Sequence, residues 1–472
     1  MGRSSDWLFR TLAIVTLLSL FAGIATELYV LAGIPVFLLL AYMCLVDFRK
    51  VFFLLLACIP LSTEIYLPNG LATDLPTEPL MVGLMLVYLV YVLVNSRRLN
   101  SGFIKHPVTL LVLLHLVWIL ITTVSSQLFV VSLKFSLAKT WYIVVFYFMA
   151  GSILKEVKDV KILFWIIFIP LVLTILYVWS RHAPYGFSFK KVSGVLDPFY
   201  RNHVNYASLL ALFFPFIWFA RGWYRTWSIR WWGLGLSLVF FLLAIQFSYT
   251  RAAYVALILA LGAYFVIQFR LMKYVLGLGL IIVIFGVMDM LSNNKYLEYA
   301  PNFEKTITHV EFDNLVEATY KGEDISTMER VYRWVAGMHM SIAEPFKGFG
   351  PGNFYNFYRS YTVSSFKTYV SDNPEKSGIH SYYLMTLVEQ GFPGLIIFLL
   401  LCLVPLIKGE MIYHRTKDLD RKRIIMLLLL SMVIIDALLL INDMVETDKV
   451  GTFFFMNMAI LVNMDLAAKR EK

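Results

Sequence analysis

Long apolar runs recur along almost the whole chain, separated by short polar joints. The runs are 17 to 20 residues long. That is the length a helix needs to cross a hydrocarbon core of roughly 30 Å. Lipid offers the backbone no hydrogen-bond partner, so helices are the expected element. The alternating segments of a membrane strand are absent. The pattern predicts an all-α, polytopic membrane helix bundle of about 14 transmembrane helices. They fall at 8–26, 28–46, 51–67, 79–95, 107–125, 135–154, 161–180, 204–220, 231–249, 252–268, 271–290, 391–407, 424–442 and 450–467. Pro60 interrupts the third. The first is too long, and too closely followed by another span, to be only a cleaved signal peptide. One stretch breaks the rhythm: residues 291–380 are polar. The chain thus divides into 1–290 with eleven helices, a large and partly helical loop over 291–380, and 381–472 with a surface helix and three spans.

Composition agrees: 59% hydrophobic residues, 15% charged, mean hydropathy +0.72. The net charge of +10 needs its own account. With the N-terminus cytoplasmic and sides alternating, the inner joints carry 24 of the 41 Lys and Arg. The outer joints carry 8 and the large loop 9. Long loops are exempt from the positive-inside bias. The split predicts both termini inside and the large loop outside. The charge is then an orientation signal, and nucleic-acid binding is excluded as its explanation. Cys44, Cys58 and Cys402 fall in apolar segments and read as small core residues, with no disulfide framework.

The outer face holds the chemistry. In the loop, Ser326-Thr327-Met328-Glu329 has the form of a capping box, and helical periodicity follows to Pro345. Arg330 and Trp334 share a face of that helix, with Arg333 close by. Gly348-Phe349-Gly350 opens a glycine-rich turn that closes the loop onto the bilayer. No Gly-Lys-Ser/Thr follows, so it is no P-loop. His380 opens the next helix, which Gly391, Pro393 and Gly394 break. A helix N-terminus disfavours imidazolium, so this ring is expected neutral and able to accept a proton. Arg251 joins two apolar spans with almost no loop, where a guanidinium needs an anionic partner, water or a lipid phosphate. Lys190, Lys191 and Arg201 lie in an outer joint, placed for an anionic substrate or for anionic headgroups. No outer cluster has metal-ligand spacing, and no Gly-x-Ser-x-Gly turn occurs. Asp436 is an acid inside a span. Asp443, Glu446 and Asp448 read as a solvated turn.

These residues resemble the O-antigen ligase and Wzy-type polymerase superfamily, bacterial inner-membrane glycosyltransferases. The family's Ser-x-Thr-Arg element is matched by Ser248-Tyr249-Thr250-Arg251. Its Arg-x-x-x-Trp is matched by Arg330 and Trp334, and its Gly-x-Gly by Gly348 and Gly350. Its His-Asn-x-Tyr-Leu reads here His380-Ser381-Tyr382-Tyr383-Leu384, with Ser381 replacing Asn. Glu389-Gln390-Gly391 and Gly394 follow, and an earlier family Asn looks like Asn205. The likeness spans roughly 200–400 and rests on hydropathy alone before that.

The resemblance implies an undecaprenyl-pyrophosphate-linked glycan donor at the periplasmic face of the inner membrane, and a lipid A–core or glycan hydroxyl as acceptor. It implies no cofactor, no metal and no nucleic acid. Arg251 and Arg330 would clamp the pyrophosphate and His380 would take or orient the hydroxyl proton. Arg201, Lys190, Lys191, Asn205, Arg333 and Tyr383 would assist binding. A Wzy-type polymerase or a protein O-oligosaccharyltransferase shares these motifs. A transporter of lipid-linked glycans is the alternative class, but it would be expected to show inverted repeats and midplane polar residues, whereas no repeat is seen and the polar groups cluster on the outer face.

Overall fold

The computed structural model describes residues 11, 14–19, 33–66, 72–95, 100–299, 325–366, 371, 373 and 377–470. Most of the predicted helix 8–26 lies outside these residues, as does the start of 28–46 and much of the large loop. The rest is almost wholly helical. The principal helices are α1 (Ile34–Cys58), α2 (Thr77–Val94), α3 (Pro107–Val124), α4 (Phe129–Ile143), α5 (Val157–His182) and α6 (His203–Ala220). They continue as α7 (Ile229–Gln246), α8 (Arg251–Gln268), α9 (Met272–Leu291), α10 (Ile325–Ala343), α11 (Tyr382–Arg415), α12 (Leu419–Leu438) and α13 (Asp448–Arg470). Among the described residues 10 helices are long and apolar enough to cross a membrane, against the fourteen predicted. α1 and α12 are not among them, because charges interrupt their apolar runs: Asp47, Arg49 and Lys50 in one, Asp420 to Arg423 in the other.

The spans predicted at 28–46 and 51–67 need correction. α1 runs through both, bending at Asp47, whose φ of −155° and ψ of 85° leave the helical region. It stops at Cys58, and Ile59–Leu61 turn as a short 3-10 helix around Pro60. Thr63–Tyr66 (β1) and Ala72–Leu75 (β2) then pair antiparallel, Thr63 opposite Leu75 and Tyr66 opposite Ala72. The third predicted helix is therefore half helix and half hairpin.

α13 forms the centre of the bundle: 89% of its apolar window is buried. α6 and α8 pack on α12, and α3 packs on α11. α9 lies at the rim with only 6% of its window buried. Segments that the charge bias assigns to one face meet at one end of the bundle. At the basic end Lys161 pairs with Asp420 at 2.7 Å, and His106 and Lys469 reach Asp465 at 3.4 and 2.8 Å. At the opposite end the β-hairpin, residues 197–205 and residues 446–449 line a common cavity.

Candidate active site

At that second end, α10 lies against the start of α11. Gly337 permits the approach: a Cβ there would sit 2.5 Å from the side chain of Ile379. Two side chains of α10 hold the backbone before α11. Arg333 Nη1 donates to the Gly378 carbonyl at 3.2 Å, and Trp334 Nε1 to the Ile379 carbonyl at 3.1 Å. From the far side, the Asp443 carboxylate accepts the His380 N–H, and the Tyr382 N–H donates to the Leu439 carbonyl at 2.9 Å. Residues 378–382 are thus strung between α10 and the segment after α12. His380 takes a left-handed backbone with φ of 58°, a conformation costing roughly 1–2 kcal/mol for an L-residue. Contacts from both sides hold it there.

Two sequence expectations change here. His380 does not open the helix: Ser381 is the N-cap and Tyr382 the first helical residue, because the left-handed turn at His380 cannot join the helix. Nor is Ser326 an N-cap, since the helix is already under way at Ile325. Glu329 instead pairs with Arg333 at 3.5 Å and accepts Ser371 Oγ at 2.7 Å. An i,i+4 ion pair thereby steadies the guanidinium that holds Gly378.

Electrostatics then set the His380 ring. Burial, followed by the Arg330 and Arg333 guanidiniums, pushes its pKa from 6.5 down to about 3. The ring is neutral because of its burial and then these neighbours, not because of a helix terminus. Asp443 moves the other way. Burial and then nearby Glu446 raise it from 3.8 to about 7, against the pull of Arg333. Its Oδ1 is sealed from solvent and has no hydrogen-bond partner among the described residues. Glu446 in turn accepts Lys139 Nζ and the Tyr382 hydroxyl, both at 2.7 Å, with Lys139 fully buried.

The Arg251 turn reaches the same region. Thr250 Oγ1 donates to the His203 carbonyl at 3.2 Å, fixing the start of α8 beside the start of α6. Arg330 is the charged neighbour of His203 as well as of His380. The loop carrying Lys190 and Lys191 packs on this turn through Phe189 against Tyr249 and a 2.7 Å bond from the Tyr249 hydroxyl to the Phe187 carbonyl.

The glycine motifs serve as architecture. Gly348 and Gly391 have φ of 63° and 69°, and a Cβ on either would come within 2.4 Å of backbone in the other's segment. The Glu389 carboxylate accepts the N–H groups of Gly352 and Phe354 at 2.8 and 3.0 Å. The glycine-rich turn therefore docks onto the kink in α11 and anchors the C-terminal part of the loop.

Arg251, Arg330, Arg333 and His380 share one further property. Residues 236–399 match the family model for O-antigen ligase. The match covers roughly a third of the chain and bears out the resemblance read from the motifs. No curated protein matches the chain. The O-antigen ligase match supports a membrane glycosyltransferase of the ligase or polymerase type, with a lipid-linked glycan and an acceptor as its general substrates.

Several residues at this end lie outside the ligase-family region. Arg201 approaches Glu64 at 3.8 Å and lines the cavity with Asn205. Lys191 stands over the Tyr185 ring at 5.5 Å. Inside the region, Tyr383 donates its hydroxyl to the Asp436 carbonyl at 3.2 Å, into the bundle, and the Asp436 side chain meets Cys402. Asp443, Glu446 and Asp448 are not a solvated turn. Asp448 is buried and accepts the Ser62 and Thr77 hydroxyls, and the other two hold the His380 segment. His203 and Asp443 went unread as site residues. The chain offered one as the flank of a span and the other as one acid among three.

Proposed function

We propose that this chain transfers a glycan from undecaprenyl pyrophosphate to a sugar hydroxyl of lipid A–core at the periplasmic face, as an O-antigen ligase. The observation that carries the reading is the convergence of Arg330 and Arg333 on a neutral His380 within the family region. The acceptor oxygen attacks the anomeric carbon. The bond from that carbon to the pyrophosphate oxygen breaks, and its electron pair leaves with the lipid pyrophosphate. Guanidiniums of Arg330 and Arg251 hold the charge that develops, through paired donors suited to phosphate oxygens. A clamp that tightens as the bond breaks is transition-state stabilisation. It serves the role a divalent cation would otherwise fill.

The proton goes to His380. With a pKa of about 3 the free ring is a poor base. The bound pyrophosphate offsets Arg330 and Arg333, lifting the electrostatic part of that depression and leaving the burial part. The ring thus gains basicity when the donor is in place. Purified protein given the lipid-pyrophosphate glycan and lipid A–core should yield one added block, and excess EDTA should leave the rate unchanged. A ladder of repeats on the lipid carrier, with lipid A–core ignored, would replace ligase by polymerase. Loss of turnover restored by magnesium would end the metal-free reading.

A further inference from the structure

A cavity of about 450 Å³ opens beside the arginine cluster and lies outside the ligase-family region. Its size falls in the range of small-molecule sites. The β-hairpin, residues 197–205 and the start of α13 form its walls. Its charge is opposite to that of the arginine cluster. Six carboxylates line it, from Glu64, Asp74, Glu78, Asp197, Glu446 and Asp448, against two cations, Arg201 and Lys449. Both cations are already engaged: Arg201 with Glu64 at 3.8 Å, and Lys449 with Asp448 at 3.5 Å and the Ser62 carbonyl at 3.3 Å. The rest is uncharged hydrogen-bonding surface, including Asn205 and Thr447, with aromatic side chains at Tyr66, Phe199 and Tyr200.

We infer that this cavity is the acceptor subsite and takes a hydroxyl-rich sugar free of acidic groups. The inference rests on the transferase reading above and extends it to the second substrate. Carboxylates accept hydrogen bonds from sugar hydroxyls, and aromatic faces pack against the apolar face of a pyranose. The surplus of negative charge repels phosphate and uronic acids. The pyrophosphate is thus kept to the arginine side. Asp74 fits this use, since burial and then Asp448 raise it to about 7, so it can both donate and accept near neutral pH. The two regions adjoin at Asn205 and Glu446. Asn205 lies two residues from His203, the neighbour of Arg330, and Glu446 binds the Tyr382 hydroxyl, two residues from His380. An acceptor held here would point a hydroxyl toward the arginine cluster without entering it.

The test uses the full chain in lipid nanodiscs with two trisaccharides as probes: neutral N,N′,N″-triacetylchitotriose and acidic trigalacturonate. Chitotriose should bind at least tenfold tighter than trigalacturonate. Glu64→Gln and Asp74→Asn should each weaken chitotriose binding about tenfold. Tyr66 is 70% exposed, so Tyr66→Ala keeps the fold and should weaken it too. Binding of the lipid-pyrophosphate donor, measured on the same preparations, should be unchanged in all three variants. Equal binding of the two probes, or chitotriose affinity unaltered in the three variants, would overturn the inference. Failure of the wild type to bind or turn over the lipid-pyrophosphate donor would instead strike the transferase reading, leaving the sugar result to stand by itself.

Discussion

Single residues at the site divide into those that meet the charge and those that hold them in place. Arg251→Lys keeps the positive charge but loses the fork, so turnover should fall about 10²-fold with normal membrane insertion. Arg330→Lys should cost about tenfold, and both within twofold of wild type would discard the clamp. His380→Ala should remove turnover while donor binding remains. His380→Gln can hydrogen-bond but takes no proton at neutral pH, so near-normal turnover in it would leave orientation as the only role. The pH dependence follows from two opposite shifts. The unfolded chain protonates the imidazole below about 6.5 and the folded chain only near 3, so stability from this group falls as pH falls through that window. Asp443 works in reverse: its folded carboxyl keeps a proton up to about 7, against 3.8 ordinarily. Its contribution is present below 3.8 and lost as pH rises through 7. Turnover should rise with pH through about 7, as ionised Asp443 offsets the guanidiniums at the ring. That limb should vanish in Asp443→Asn, whose amide oxygen still accepts the His380 N–H. A limb persisting in the variant assigns it elsewhere. His380 and Arg251 were singled out as candidates because a rare polar type stands at the edge of an apolar run, and Arg330 because it shares a helix face with Trp334. Asp443 was not, because nothing in a short acidic joint tells which carboxylate the tertiary structure buries.

Elements were legible where the signal was long. The apolar runs of α3, α5, α6, α8 and α9 end within a few residues of their predicted limits. The β-hairpin was not, because two strands of four residues cannot display an alternation against an apolar background. Motif spacing likewise did not say that Gly348 and Gly391 press on each other's backbones. That pairing predicts that Gly391→Ala destabilises the protein. The backbone conformation alone accounts for about 1–3 kcal/mol, and a Cβ 2.4 Å from the Phe346 carbonyl carbon adds to it. Thermal unfolding in detergent should show a clear drop in Tm. Gly277→Ala in α9, where a Cβ meets nothing within 4 Å, is the control and should melt with wild type. Equal melting of the two variants would remove the docked turn as a source of stability.

For the whole molecule, charge gave a side to each joint, but only the assembled bundle shows which joints meet. Ser364 is exposed in the large loop. A cysteine placed there should react with an impermeant thiol reagent in intact spheroplasts, against a background of buried Cys44 and Cys402 and half-buried Cys58. Labelling only after lysis would invert the orientation. The burial of α13 was not legible, since an apolar run reads alike whether lipid or protein surrounds it. Its Asn457, Asn463 and Asp465 mark the difference: Asn457 donates to Ser431 Oγ at 3.0 Å, and Asn463 to the Gly151 and Leu154 carbonyls. Every helix α13 packs against precedes it in the chain. During synthesis the ribosome therefore delivers the walls before the pillar they enclose. Without Asp448–Arg470, Ser431 Oγ and the Gly151 and Leu154 carbonyls would lose the partners that α13 brings them. Cutting the chain before residue 448 should therefore take out the most buried helix of the bundle, and limited proteolysis should tell the shortened chain from the whole one.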